Sequence, residues 1–217
     1  MSPVQWYRPG PPDIRVERIL RIQGYGDLSK VRPAIRRAAE YAADLARRLS
    51  EPAVCFRRVA IRGLEGGRLD LDGGVTLNCA AFGRLLAGCH EAVAFVLTVG
   101  AGVDQKVVEL TETGEGLLEA LLLETAGWLA VEDATRQFRS AARVQAERAG
   151  QRITTRLGPG YRYAVDGAEC EWALTDQLAL FELFGDADLP VQVLPSCAML
   201  PKISRSGLFG VGAAGGA

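Results

Sequence analysis

The longest helical pattern in the chain runs from Gly116 to about Ala149, and it constrains the possible folds more than any other feature. The segment contains no proline, stops before Gly150 and repeats apolar residues at helical spacing. Its first half is apolar almost all round, which predicts burial on most sides, with Trp128 and Phe138 as core residues. The pattern therefore predicts one long helix that carries much of the core.

An acidic pair, Glu132-Asp133, interrupts this helix beside small residues. A carboxylate on a mostly buried helix is costly unless a donor partner accompanies it. We therefore expect that one of the two pairs with an arginine or that one faces a ligand cavity.

The patterns around the long helix predict a sheet with helices packed on it. We expect strands at 14–23, 53–62, 92–99, 191–194 and within 203–211, with a hairpin at Asp72-Gly73-Gly74. Helices are expected at 29–50, with Ser29 as the N-cap, and at 79–87, 103–110 and 174–184. The segment 161–171 is expected to be irregular. These elements predict an α+β fold with a twisted, mainly antiparallel sheet. We expect a flexible arm at 1–13, a single domain at 14–211 and a flexible tail at 212–217.

Composition excludes several classes of function. Lys and Arg number 25 against 26 Asp and Glu, so a broad nucleic-acid surface is not expected. His90 is the only histidine, which argues against a His-rich metal site or a catalytic triad. The five cysteines show no CxxC spacing and are interpreted as buried small side chains in a reducing compartment.

The sequence shows no signal peptide and no apolar run long enough to span a bilayer, so we expect a cytoplasmic protein without a membrane partner.

The stretch Arg156-Leu157-Gly158-Pro159-Gly160-Tyr161 combines features of a ligand-binding loop. Gly158 and Gly160 let a ligand approach the main chain closely, and Pro159 stiffens the loop. Arg156 offers a planar fork of donors for a carboxylate or phosphate, and Tyr161 offers a flat face and a hydroxyl. The alternative is a tight turn between a helix and a strand, which composition alone favours.

Several motifs in this order resemble the reactivation domain of cobalamin-dependent methionine synthase, in its free-standing short form. They are Arg156-x-x-x-Gly160-Tyr161, then the segment 194–201, then Ser204-x-Ser206-Gly207. Further likeness lies in Gly24-Tyr25, in 97–100, in 130–132 and in a Gln-x-x-Leu-Phe-x-Leu helix that begins at Gln177. The resemblance spans roughly residues 14–211.

The resemblance implies a domain that binds S-adenosylmethionine and positions it for reductive methylation of inactive cob(II)alamin. Arg156 would meet the methionine carboxylate, Glu132 the ammonium group, and Tyr161 would lie beside the ligand, while Gly158 and Gly160 would allow backbone approach. The cobalamin would be carried by a partner, a methionine synthase or corrinoid protein, with flavodoxin or another electron donor. No self-contained active site is evident, so the chain would be an accessory domain or subunit of a methyltransferase.

The sequence departs from the family pattern at two places. The family's Thr-Glu-Ser is replaced by Leu194-Pro195-Ser196, and the segment 162–171 reads as an insertion beside the loop. An alternative function therefore stays open: a non-catalytic interaction module of a corrinoid methyltransferase system that has lost ligand binding.

Overall fold

A seven-stranded antiparallel sheet forms the centre of the molecule in this computed structural model, which describes residues 2–112, 114 and 116–214. The strands of this sheet are β1 (Gln5–Tyr7), β2 (Ala53–Glu65), β3 (Arg68–Leu71), β4 (Thr76–Asn78), β5 (Cys89–Thr98), β6 (Gln151–Ile153) and β11 (Ser204–Ala213). They follow the order β4-β3-β2-β5-β11-β6, and β1 pairs with β2. Two small hairpins, β7 (Arg162–Val165) with β8 (Ala168–Glu171) and β9 (Gln192–Val193) with β10 (Met199–Leu200), lie outside it.

Strand β5 is buried on both faces, as its continuous apolar sequence predicts. Val93, Phe95 and Leu97 point into one hydrophobic cluster, and the alternating residues Ala94 and Val96 point into another. Helices cover the first face: α1 (Val16–Ile22), α2 (Pro33–Leu49), α4 (Gly102–Glu112) and the long α5 (Leu117–Arg148). The second face is covered by α3 (Phe82–Leu85), α6 (Asp176–Glu182) and the buried Trp172. The predicted α+β fold with an antiparallel sheet is confirmed.

The first predicted strand, 14–23, is wrong, because these residues form helix α1. The alternation of Ile14 and Val16 favours a strand, but the buried Ile19 and Leu20 lie three and four residues after Val16, which is helical spacing, and α1 packs against α2 and α5. Short apolar runs of this kind are compatible with either period, and here the packing of the helical layer decides.

The amphipathic helix at 29–50 begins later than its predicted cap. Ser29 lies in a short 3-10 turn, Leu28–Lys30, where its N–H donates to the Asp27 side chain. Helix α2 starts at Pro33, because a proline disfavours helical angles at the residue before it, and Arg32 is accordingly extended.

Two further segments carry structure that the sequence interpretation did not predict. The expected irregular segment 161–171 contains the β7–β8 hairpin, whose turn residues Asp166 and Gly167 both have positive φ, 51° and 81°. Within the expected N-terminal arm, β1 pairs with β2 as an edge strand. Of the expected tail, Gly212 and Ala213 end β11, whereas residues 215–217 lie outside the described residues.

None of the helices in the described part of the chain combines the length and the apolar character needed to cross a membrane.

Candidate functional site

The loop 156–161 is anchored to the sheet through Leu157. Its N–H donates to the Leu208 carbonyl and its carbonyl accepts from the Leu208 N–H, both at 2.8 Å. A Cβ on Gly207 would lie 2.2 Å from the Leu157 carbonyl oxygen, so only glycine allows the two segments to approach this closely. Strand β11 contains the motif Ser204-x-Ser206-Gly207 and is hydrogen-bonded to the loop 156–161, which we call the arginine loop. The motif and the arginine loop are therefore neighbours.

Arg156 and Tyr161 stack on each other inside this loop. The guanidinium carbon lies 4.5 Å from the centre of the Tyr161 ring. A Cβ on Gly158 would lie 3.1 Å from Arg156 Nη1 and 3.2 Å from Tyr161 Cδ2, so the absent side chain leaves room for the stack. Gly160 has φ 79°, a left-handed value that favours glycine. The glycines thus shape the loop around the Arg156–Tyr161 pair.

The β7–β8 hairpin, which is the insertion noted in the sequence, is hydrogen-bonded to the loop through Tyr163. The Tyr163 hydroxyl accepts from the Gly158 N–H at 2.7 Å and donates to the Gly158 carbonyl at 3.1 Å. The Gly160 N–H donates to the Trp172 carbonyl at 2.7 Å. The N–H groups of Gly158 and Gly160 are therefore bonded within the chain, which leaves recognition of a ligand mainly to side chains.

Gln177 joins three of the segments that carry the motifs. Its amide nitrogen donates to the Cys197 carbonyl at 2.6 Å, and its amide oxygen accepts from the Ser206 hydroxyl at 3.0 Å. The side chain is nearly fully buried. Helix α6, the turn at 197 and β11 are thereby fixed to one another behind the loop.

Two surface pockets lie between α5, the loop and β11 and share Arg205 as a lining residue; we call them together the groove and each of them a branch. The arginine branch, about 470 Å³, is lined by Glu132, Arg136, Arg139, Arg143, Arg156 and Arg205 together with hydroxyl side chains. The aromatic branch, about 320 Å³, is lined by Trp128, Tyr161, Leu174, Met199, Lys202 and Arg205 among others. A cationic region and an aromatic region therefore adjoin.

The two acidic residues of the long helix have different surroundings. Asp133 is buried and accepts from the Asp13 N–H at 3.0 Å, from the Gln137 amide at 2.8 Å and from Arg136. Glu132 is exposed, lines the arginine branch and lies 3.5 Å from Arg18. Each of the two carboxylates therefore pairs with an arginine, and Glu132 also lines the groove.

Three of the five predicted site residues, Glu132, Arg156 and Tyr161, line the groove. Gly158 and Gly160 lie in the loop beside them. Trp128 was predicted to be a core residue, and that is wrong, because its side chain is 40% exposed and lines the aromatic branch. Leu117, Leu118 and Leu121 at the start of α5 are also exposed, but most residues from Leu122 to Val131 are buried, as predicted, and Phe138 is in the core.

Arg205 is the groove residue that the sequence interpretation missed. It occupies the variable position of Ser204-x-Ser206-Gly207, so the motif itself does not identify it. Burial lowers the pKa of its guanidinium, the neighbouring Arg156 lowers it too, and Tyr161 and Glu132 act in the opposite direction. An arginine within a last strand of small and apolar residues is the signal that could have identified it.

Neither a protein-family model nor a curated protein sequence matches the chain. Among solved structures, the crystal structure of the MetH reactivation domain bound to AdoHcy is similar, with a TM-score of 0.64 and 14% identity. The alignment covers 95% of this chain and 78% of that one. A likeness at this identity shows the fold, and the fold implied by the sequence resemblance is therefore confirmed.

Proposed function

We propose that the groove binds an S-adenosyl amino acid and that the chain is the reactivation subunit of a cobalamin-dependent methionine synthase. In this role it positions S-adenosylmethionine for reductive methylation of inactive cob(II)alamin carried by a partner protein. The observation that carries the proposal is the placement of Arg156 and Glu132 in one groove beside aromatic side chains. The likeness in fold to a domain solved with S-adenosylhomocysteine supports it.

The amino-acid end of such a ligand is a zwitterion and needs opposite charges on the protein. Arg156 offers its guanidinium to the carboxylate, and its Nη1 is buried without a hydrogen-bond partner in the described part of the chain. Glu132 offers a carboxylate to the ammonium group. The residues therefore fit the ligand's charges, with one buried donor that a carboxylate would satisfy.

The adenine end needs a flat apolar surface, and the aromatic branch offers one. Tyr161 and Trp128 are each about 40% exposed there, at 41% and 40%. Arg156 covers one face of Tyr161, so a ligand would meet its other face or its edge. Bound S-adenosylmethionine supplies a methyl group on a sulfonium, and the chain's own residues hold and orient it for a cobalamin on the partner.

A second candidate function follows from the hydrogen bonds of the loop. The N–H groups of Gly158 and Gly160 are already bonded to Tyr163 and Trp172, so they are not free to bind a ligand. This observation favours the interaction module of a corrinoid methyltransferase system that has lost ligand binding.

Calorimetric titration with S-adenosylmethionine separates the two functions. Binding by the wild type that is abolished in Arg156→Ala and in Glu132→Ala supports the reactivation function. Arg48→Ala and Glu40→Ala are matched controls, because both residues are exposed on α2 and lie outside the groove lining. Absence of heat at millimolar ligand with folded wild type supports the interaction module instead.

A further inference from the structure

We propose that the arginine branch of the groove contains a phosphate-binding site, centred on Arg139 and Arg205, for a free phosphate or a phosphate ester. The proposed site shares Arg156 with the proposed S-adenosylmethionine site, but its test uses Arg139, which lies outside the residues assigned to that ligand. It depends on the charges of the branch, on a buried unpartnered donor and on the hydroxyl groups of the lining.

The arginines of the arginine branch outnumber the carboxylates that pair with them. Five arginines and one glutamate line it. Arg136 pairs with the buried Asp133, and Arg143 lies 3.6 Å from Glu147. The only acidic lining residue, Glu132, already lies 3.5 Å from Arg18.

Three arginines of the branch form no salt bridge with a carboxylate among the described residues. Arg139 donates to the Thr154 carbonyl at 3.2 Å, and Arg205 donates to the Thr135 hydroxyl at 3.3 Å. Arg156 stacks on Tyr161, and its buried Nη1 has no hydrogen-bond partner in the described part of the chain. Like charges held close together destabilise one another, and an anion between them relieves that repulsion.

An anion would stabilise Arg205 more than an exposed arginine, because the Arg205 guanidinium is partly removed from water. It projects from the central strand β11, and burial lowers the pKa of its guanidinium. A cation that is partly removed from water is stabilised most by a charged hydrogen-bond acceptor. The strand fixes the backbone of Arg205, and its hydrogen bond to the Thr135 hydroxyl holds the side chain at the branch.

The lining suits phosphate better than a single carboxylate. One arginine fork satisfies a carboxylate, whereas a phosphate dianion has oxygens for several forks at once. Ser140 and Thr155 add hydroxyl groups to the same branch. A volume of about 470 Å³ admits a phosphate group together with the ester part of a small ligand.

The test is calorimetric titration of the full chain with inorganic phosphate at low ionic strength. We expect saturable binding that is weakened about tenfold or more in Arg139→Gln, because a charge-assisted hydrogen bond is lost. Arg48→Gln removes the same charge from the exposed face of α2 and should leave phosphate affinity unchanged. Arg139→Lys keeps the charge and should retain more affinity than Arg139→Gln.

A parallel titration with glycerol phosphate distinguishes the two sources of the group. Tighter binding of the monoester than of inorganic phosphate indicates an ester ligand, and equal or weaker binding indicates the free ion. Absence of saturable phosphate binding, or equal losses in Arg139→Gln and Arg48→Gln, overturns the proposal. Because Arg139→Gln leaves Arg156 and Glu132 intact, S-adenosylmethionine affinity in this variant reports separately on the proposed function.

Discussion

The Tyr163 hydroxyl accepts a hydrogen bond from the Gly158 N–H at 2.7 Å and donates one to the Gly158 carbonyl at 3.1 Å. One phenol on the inserted hairpin therefore satisfies both backbone groups at the centre of the arginine loop. Desolvation raises the pKa of this phenol, in keeping with its partly buried position.

Replacing this hydroxyl should destabilise the loop. Tyr163→Phe leaves the Gly158 N–H unsatisfied, which costs about 1–3 kcal/mol for a buried donor. We expect the urea midpoint to fall with an unchanged m-value in equilibrium unfolding. Tyr41→Phe, at an exposed position of α2, is the control and should unfold like the wild type. Equal midpoints for Tyr163→Phe and the control would show that the bond does not stabilise the fold.

Filling the space beside Gly158 should disturb the Arg156–Tyr161 stack. In Gly158→Ala the new Cβ would lie 3.1 Å from Arg156 Nη1, 3.1 Å from the Ser206 carbonyl oxygen and 3.2 Å from Tyr161 Cδ2, so these neighbours must shift. We expect a loss of about 1–2 kcal/mol in the free energy of unfolding and weaker binding of S-adenosylhomocysteine, measured by urea denaturation and calorimetry. Gly26→Ala is the control, since nothing lies within 4 Å of its Cβ. Unchanged ligand affinity in Gly158→Ala would contradict the role given to the stack.

The buried carboxylate of Asp133 should anchor the N-terminal segment to the long helix. It accepts from the Asp13 N–H, Gln137 and Arg136, so Asp133→Ala removes the shared acceptor of three hydrogen bonds. We expect a loss of about 1–3 kcal/mol in thermal or chemical unfolding, because these hydrogen bonds are lost, and faster proteolysis before residue 14. Asp44→Ala, which removes an exposed pair with Arg47, should cost less than about 1 kcal/mol. Similar losses in the two variants would refute the anchoring role.

The thiol of Cys55 gives the stability of the protein an alkaline dependence. Desolvation raises its pKa from 9.0 to about 11, so the folded state keeps a proton that the unfolded chain loses between these values. Its contribution to stability is therefore complete below pH 9 and falls as the pH rises toward about 11. Unfolding curves across this range should show a steeper loss for the wild type than for Cys55→Ala. Parallel losses in the two proteins would mean that the thiol titrates normally.

The sequence predicted most long elements because their periodicity is unambiguous. The long helix α5 and the buried strand β5 carry many apolar residues at a single period, and packing agrees with that period. The short helix α1 was misread because its apolar residues fit two periods. The hairpin at 162–171 was missed although Asp166-Gly167 between alternating residues is a turn signal.

The candidate site was only partly predictable for a different reason. The resemblance to the reactivation domain pointed to Arg156, Tyr161 and Glu132, which line the groove. Arg205 and Trp128 belong to the same groove, yet their positions depend on how β11 and α5 face each other across the loop. The order of residues does not specify that arrangement, so contacts between side chains of distant segments can be identified only from the folded structure.

The most direct test of the proposed ligand site is a crystal structure of the chain with S-adenosylhomocysteine. We predict that the ligand carboxylate lies within about 3 Å of the Arg156 guanidinium and that its ammonium group contacts Glu132. The adenine should lie in the aromatic branch beside Tyr161 and Trp128. A ligand bound outside the groove, or one whose amino-acid end contacts neither Arg156 nor Glu132, would contradict the account.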